Sequence, residues 1–294
     1  MGLRANPTYR QRRFGAEVRR LRERAGLSVG EGAAVMGMRQ GHISAVESGR
    51  TGLSPERLRA LSREVDGVNP TYLDALVEMG QDPGKGWWSA YQGRVRPSLL
   101  DMAGLEAGAV RLVTYEPTFV PVLLQTQAYA TAAFRRGYTR VSPEEQDLDV
   151  EFRMRRQEVL TNERPPQFHA IIHEAALHVT LGSPEVMRSQ LLRLIEASRM
   201  PNVTIQVLPF DGPSPFGTPF TLLEPAVPEL GTVVVPRIEK SLNLGDEESL
   251  ARYNDWFASL SETALLPVDA AVQPEAHLTK DSLGLIQRLL YPLL

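Results

Sequence analysis

There is no cysteine among the 294 residues, so disulfide bridges, thiolate zinc sites and a cysteine nucleophile are all excluded. Long apolar runs are missing too: none approaches the roughly 18 residues needed to cross a bilayer. The opening MGLRANPTYRQRRFG lacks the apolar centre of a secretion signal. Its Met-Gly start also lacks the Ser or Thr of a myristoylation signal. No membrane partner is expected, and the cytoplasm is the expected location. Neither a Gly-rich phosphate loop nor a Gly-x-Ser-x-Gly elbow occurs, so two common catalytic frames are absent.

What is present suits a folded chain with an asymmetric job. Hydrophobic residues make up 43% and charged residues 23%, an ordinary balance for a sizeable core. The length allows two domains. The net charge of −3 is unevenly spread: residues 1–80 hold 13 Lys+Arg and 9 Asp+Glu, or +4, leaving −7 for residues 81–294. A basic head on an acidic body is expected where only the head meets phosphate; a solvated arginine-rich helix would give the same tally.

Phe14, Val18 and Leu21 recur at helical spacing, which predicts a helix over 13–25 ending near Gly26. Ser28 and Glu31 have the spacing of a capping box, opening a second helix with Ala33, Ala34 and Met36. Gly37 breaks it, and Arg39–Ser48 forms a third helix with Ile43 and Val46 inward and Gly49 as a left-handed stop. Ser54-Pro55-Glu56 caps a fourth, with Leu58, Leu61 and Val65 inward, and Asn69-Pro70 opens a fifth carrying Tyr72, Leu73, Leu76 and Val77. The first domain is therefore expected to be all-α, over residues 1–80, with a turn cluster at 80–86.

The texture then changes. Strands are expected at 110–115, 167–173, 203–207, 220–223 and 232–235, and helices at 123–136, 142–160, 183–200, 246–262 and 279–290. Residues 81–294 thus form a mixed α/β (α+β) domain. Leu123, Leu124, Tyr129 and Phe134 are expected in its core.

The stretch LSVGEGAAVMGMRQGHISAVESGR (27–50) resembles the Xre-type helix-turn-helix regulators in Leu27-Ser28, Ala33, Gly37, Ile43-Ser44 and Glu47-Ser48-Gly49-Arg50. The resemblance implies that the third helix enters the major groove of double-stranded DNA N-terminus first, with Gln40, Gly41, Ser44 and Ala45 facing base edges. A Gln amide can pair bidentately with adenine, so Gln40 is the best single reader. His42 would reach phosphate or base, while Ser28, the amides opening the second helix, Arg39 and Arg50 would contact phosphate. Val29 stands in that set where the family usually has a Gln that holds the backbone. Arg22 and Glu47 match an internal ion pair joining the first and third helices. Two heads suit two half-sites, so a homodimer is expected.

Phe119–Thr126 with Tyr129-Ala130, Arg153–Gln157 with Leu160, His173–Leu177, Gln190-Leu191 and Pro201–Phe210 resemble, in that order, a C-terminal domain of unknown function. That domain is attached to Xre-type regulators of actinomycetes, including antitoxin-like and developmental ones. The resemblance implies control by a small molecule or by a small partner protein encoded nearby. The alternative is an antitoxin-like protein that sequesters such a partner, with DNA binding secondary.

An enzyme is not expected, nor a cofactor. The histidines of HEAALH (173–178) are five apart and cannot grip one metal from a helix, and His169 and His173 fall on a predicted strand. Glu116, Glu174 and Glu239 are the carboxylates that would have to converge in an acid pair, and Glu174 is better suited to tie to Arg153 or Arg156. Trp87, Trp88 and Tyr91 would seal one domain on the other or stack on an effector. Arg153, Arg155 and Arg156 make a solvated or salt-bridged face, or bind an acidic ligand.

Overall fold

The computed structural model describes residues 3–136, 142–211, 217–237, 240–269 and 280–294. They form two compact units, Met1–Leu105 with Val227–Leu230, and Glu106–Ala226 with Gly231–Leu294.

The first unit is helical. Helix α1 (Tyr9–Arg24) starts four residues ahead of the expected 13, because Thr8 and Gln11 form a capping box in front of its apolar stripe. Helix α2 (Val29–Val35) opens with the expected box, Ser28 accepting from the Glu31 amide while Glu31 accepts from the Ser28 amide. Gly37, at φ 59°, turns the chain into α3 (Gln40–Glu47), and Gly49, at φ 76°, turns it out again. Helices α4 (Pro55–Ser62) and α5 (Pro70–Gln81) follow, each with proline in its first turn. Ser54 makes no side-chain cap bond, because its hydroxyl engages the Glu56 carboxylate. A 3-10 turn (Trp87–Tyr91) and α6 (Pro97–Ala107) come next. The expected 80–86 cluster covers the end of α5 and the turn after it.

Phe14, Val18, Leu21, Ile43, Val46, Leu58, Leu61 and Leu76 fill the core of this unit, joined by Val227 and Leu230 from far along the chain. Two glycines set how closely its backbones approach. A Cβ on Gly15 would lie 2.5 Å from the Val46 carbonyl, so only glycine lets α1 touch the last turn of α3. Gly49 likewise meets the backbone of Gln11 and Arg12, at 2.8 Å from a Cβ. Trp87 packs edge-on against Trp88 and Tyr91, and the Trp88 ring lies beside Gly86 and Gly104.

The second unit is a six-stranded mixed sheet with helices, in the order β3-β2-β1-β4-β5-β6. Strands β1 (Arg111–Glu116), β2 (Gln167–His173) and β3 (Val203–Leu208) run parallel. Strands β4 (Phe220–Glu224), β5 (Thr232–Val235) and β6 (Leu242–Leu244) add an antiparallel half. The first crossover carries a short 3-10 turn (Val122–Leu124), α7 (Gln127–Arg136) and α8 (Pro143–Arg156). The second carries α9 (Glu174–His178) and α10 (Pro184–Ala197). The helix expected at 123–136 is thus interrupted after Leu124, and the one at 142–160 finishes as a 3-10 turn (Gln157–Leu160). Helix α11 (Glu247–Thr263) covers Val113, Tyr115, Ile171, Phe220 and Leu222, and α12 (Ser282–Leu290) ends the chain. Leu123, Leu124 and Tyr129 are buried as expected, whereas Phe134 is only half-buried under the Arg153 guanidinium, 4.2 Å from its ring centre. No helix among the described residues is long and apolar enough to cross a membrane.

Candidate nucleic-acid interface

Helices α2 and α3 are two short rods hinged at Gly37, and the outer face of α3 is bare. Ile43 and Val46 anchor it in the core, leaving Gln40, Gly41, His42 and Ser44 exposed. The Gln40 side chain has no hydrogen-bond partner among the described residues, so both ends of its amide are available. Hydroxyls line the same face: Ser44 donates to the Gln40 carbonyl at 3.2 Å and Ser48 to the Ser44 carbonyl at 2.8 Å. Arg50 Nε closes the row on Ser48 Oγ at 3.0 Å. A Cβ on Gly41 would meet nothing within 4 Å, so the fold itself does not require glycine there. What glycine preserves is open space in front of the helix.

Two expected contact residues turn their side chains toward the core. Ala45 is only 3% exposed. One residue beyond Ser44 the helix has rotated by about 100°, and the Arg50 and Thr51 amides fold back onto the Ala45 carbonyl at 2.9 and 3.2 Å. Val29 packs partly against the helical core, so it offers its backbone rather than its side chain.

The start of α2 is more guarded than the sequence suggested. The capping box already engages the Ser28 and Glu31 amides, leaving those of Val29 and Gly30 in the open first turn. The Ser28 hydroxyl and amide bonds also hold the Glu31 carboxyl below its usual range, so a negative charge stands at this helix end. Glu56, held low by its own amide and Ser54, does the same at the start of α4.

The arginines sort into two groups. Arg10, Arg12, Arg13, Arg19, Arg20, Arg22 and Arg59 are held in ion pairs with Asp82, Asp101, Glu17, Glu23, Glu17, Glu47 and Asp74 respectively. Arg4, Arg24, Arg39, Arg50, Arg57 and Arg63 have no carboxylate within ion-pair distance among the described residues. Four of these border the α2–α3 pair. Arg39 precedes α3 and Arg50 follows it; Arg57 Nη2 donates to the Gly37 carbonyl at 3.4 Å, and Arg4 Nη1 to the Gly49 carbonyl at 3.3 Å. Arg4 and Arg57 are the members that sequence reasoning missed, since their placement depends on tertiary approach.

The Arg22–Glu47 pair forms as expected, Nε to Oε1 at 2.6 Å and Nη2 to Oε2 at 3.2 Å, with Nη1 on the Leu27 carbonyl at 2.7 Å. The Glu47 bond raises the Arg22 pKa, and the pair ties α1 to α3 from the inside.

Residues 13–64 match a family described as a helix-turn-helix domain, and residues 99–272, more than half of the chain, match one described as a domain of unknown function (DUF5753). The chain belongs to the DUF5753 family. No curated protein matches it, and no solved structure does. The helix-turn-helix match covers most of α1 and all of α2 to α4, the face just described included, and suggests a DNA-binding regulator.

Within the DUF5753 region the polar residues serve mostly to fix the chain. Arg156 and Glu106 form a buried bidentate pair at 2.6 and 2.9 Å. Arg153 donates to Gln125 Oε1 at 2.7 Å, Gln125 in turn donates to the Val120 carbonyl, and Gln157 donates to the Val122 and Gln125 carbonyls. The expected tie from Glu174 to Arg153 or Arg156 is not made: Glu174 accepts from the Phe210 amide at 2.9 Å and faces His178. His169 lies on Gln206 at 2.7 Å and edge-on to Phe257; His173 caps α9 through the Ala175 amide. Burial pushes the Glu116 carboxyl up to about 8, with Arg153 pulling the other way. Glu239 lies outside the described residues. Among those described, no group of three or more His, Asp or Glu could hold a metal ion.

Proposed function

We propose that this protein is a sequence-specific transcription regulator. It reads double-stranded DNA with the N-terminal half of α3 and acts without enzymatic chemistry. The observation that carries this reading is the bare α3 face, with Gln40, Gly41 and Ser44 outward, bordered by arginines that have no carboxylate partner. Small residues let the helix sit deep in the major groove, and a free Gln amide offers the donor–acceptor pair that adenine presents. Unpaired guanidiniums supply the phosphate contacts.

The head is lean. One short helix offers few base contacts, and Glu31 and Glu56, charged at the starts of α2 and α4, repel phosphate. Two copies acting on paired half-sites follow from that economy, because linkage multiplies weak contacts. The DUF5753 region is then the site of pairing and of control by a small molecule or small protein. Selection of duplexes from a random pool by the full-length chain, followed by mobility shifts, tests the reading. Gln40→Ala is expected to relax base preference at one position of each half-site and weaken binding by roughly tenfold, given about 1–3 kcal/mol for a bidentate pair. Unchanged preference would remove Gln40 from the reader set, and no enrichment at all would refute the function.

A further inference from the structure

Resting on that reading of α3, we infer that the segment before α1 belongs to the DNA-binding surface. In this inference Arg4 and Arg50 together grip the phosphate backbone at the C-terminal end of α3. The two arginines are distant in sequence but adjacent in space: the Arg4 amide donates to the Arg50 carbonyl at 2.8 Å, and Arg4 Nη1 donates to the Gly49 carbonyl at 3.3 Å. The segment is pinned at its other end too, where Arg12 Nη1 donates to the Pro7 carbonyl. Gly49 completes the joint, since its missing side chain lets the Gln11–Arg12 backbone close over the turn.

The electrostatics of this joint differ from those along α1. There, closely placed arginines bracket a carboxylate, as Arg13 and Arg20 do around Glu17. Here two guanidiniums extend from hydrogen-bonded backbone positions with no carboxylate between them among the described residues. Arg50 is exposed and Arg4 partly so. Both cations are left without an anion at the same turn of the chain. A phosphodiester suits them because its paired oxygens match the forked donors of guanidinium. The position suits it as well, since the face of α3 that carries Gln40 and Ser44 continues through Ser48 to Arg50. A helix whose first turn meets bases places its last turn at the adjoining backbone.

A purely structural role for Arg4, as a cation on the last carbonyls of α3, is the competing account. It would change stability and leave the salt dependence of DNA binding alone. The test compares wild-type, Arg4→Ala and Arg4→Lys full-length chains on a duplex enriched by the wild type, across a salt series. For Arg4→Ala the slope of log affinity against log salt should become shallower by about one per bound copy. Affinity should fall roughly three- to tenfold near 0.1 M salt. Base preference should be unaltered, and interference by phosphate ethylation at the outer end of each half-site should disappear. Arg4→Lys should keep most of the slope. An unchanged slope in Arg4→Ala overturns the clamp while leaving the α3 reading intact. A wild type that enriches no duplex overturns both.

Discussion

The Arg22–Glu47 pair is the most direct way to ask whether α3 is held from inside. The two side chains are 7% and 11% exposed, and the guanidinium makes two bonds to the carboxylate and one to the Leu27 carbonyl. Glu47→Ala leaves a buried cation with the Leu27 carbonyl and the more distant Glu23 carboxylate, 3.6 Å away, a loss of roughly 3 kcal/mol at the low end of the range for breaking a buried pair. The low end applies because part of Glu47 still reaches solvent. Arg22→Ala strands a carboxylate at the C-terminal turn of α3, where the helix dipole disfavours it, and also removes the stem that packs against Gly32. It is expected to cost at least as much. Replacing both together, as Arg22→Met with Glu47→Leu, removes the charges without stranding either, so stability should return to within about 1 kcal/mol of wild type. Urea unfolding followed by hydrogen exchange at α1 and α3 amides measures these values for the helical unit alone. Because the pair touches no base, the double variant should also keep DNA affinity within a fewfold of wild type. Single substitutions that each cost less than about 1 kcal/mol, the behaviour of exposed pairs, would refute the reasoning. So would costs that simply add in the double variant.

Other outcomes follow from single positions. Gly41→Ala should raise helical stability by up to about 1 kcal/mol, since alanine suits a helix better and meets nothing there, yet weaken DNA binding; a more stable protein with unchanged affinity would show that the space is not used. Glu31→Gln keeps the capping box, because glutamine also accepts from the Ser28 amide, but removes the charge. Mobility shifts should then show DNA affinity rising roughly two- to fivefold at low salt and by less at high salt. Glu116 provides a pH prediction. Its folded pKa of about 8 lies above its ordinary 4.5, so the native state holds the extra proton between those values and stability falls as pH rises through that window. Thermal melts of Glu116→Gln should show a gain over wild type that grows from pH 5 to pH 8, whereas a constant difference would contradict the burial of that carboxyl.

Local chemistry made much of the fold legible. Ser28 with Glu31, and the glycines at 37 and 49, mark real turns because capping and left-handed backbone are decided within a few residues. The 167–173 and 232–235 strands match because their apolar residues have sheet spacing. Helix α6 was missed since PSLLDMAGLEA shows little contrast between its faces, although Pro97 in its first turn was an available signal. Strand β6, three residues long, is too short for a period to show. That Gln40, Gly41, His42 and Ser44 lie on the outer side of α3 could be read from the sequence, because the apolar pattern of that helix fixes which side faces the core. Ala45 could not, since its cover comes from the chain returning over it, and Arg4 and Arg57 depend on approaches between distant segments.

Val227 and Leu230 have a practical consequence. They are 7% and 5% exposed within the core of the helical unit, beside residues numbered below 80. The helical unit is therefore not a module that one cut can release. A fragment ending after α6 would expose an oily gap where those two side chains belong, and the ribosome must finish most of the polypeptide before the head can close.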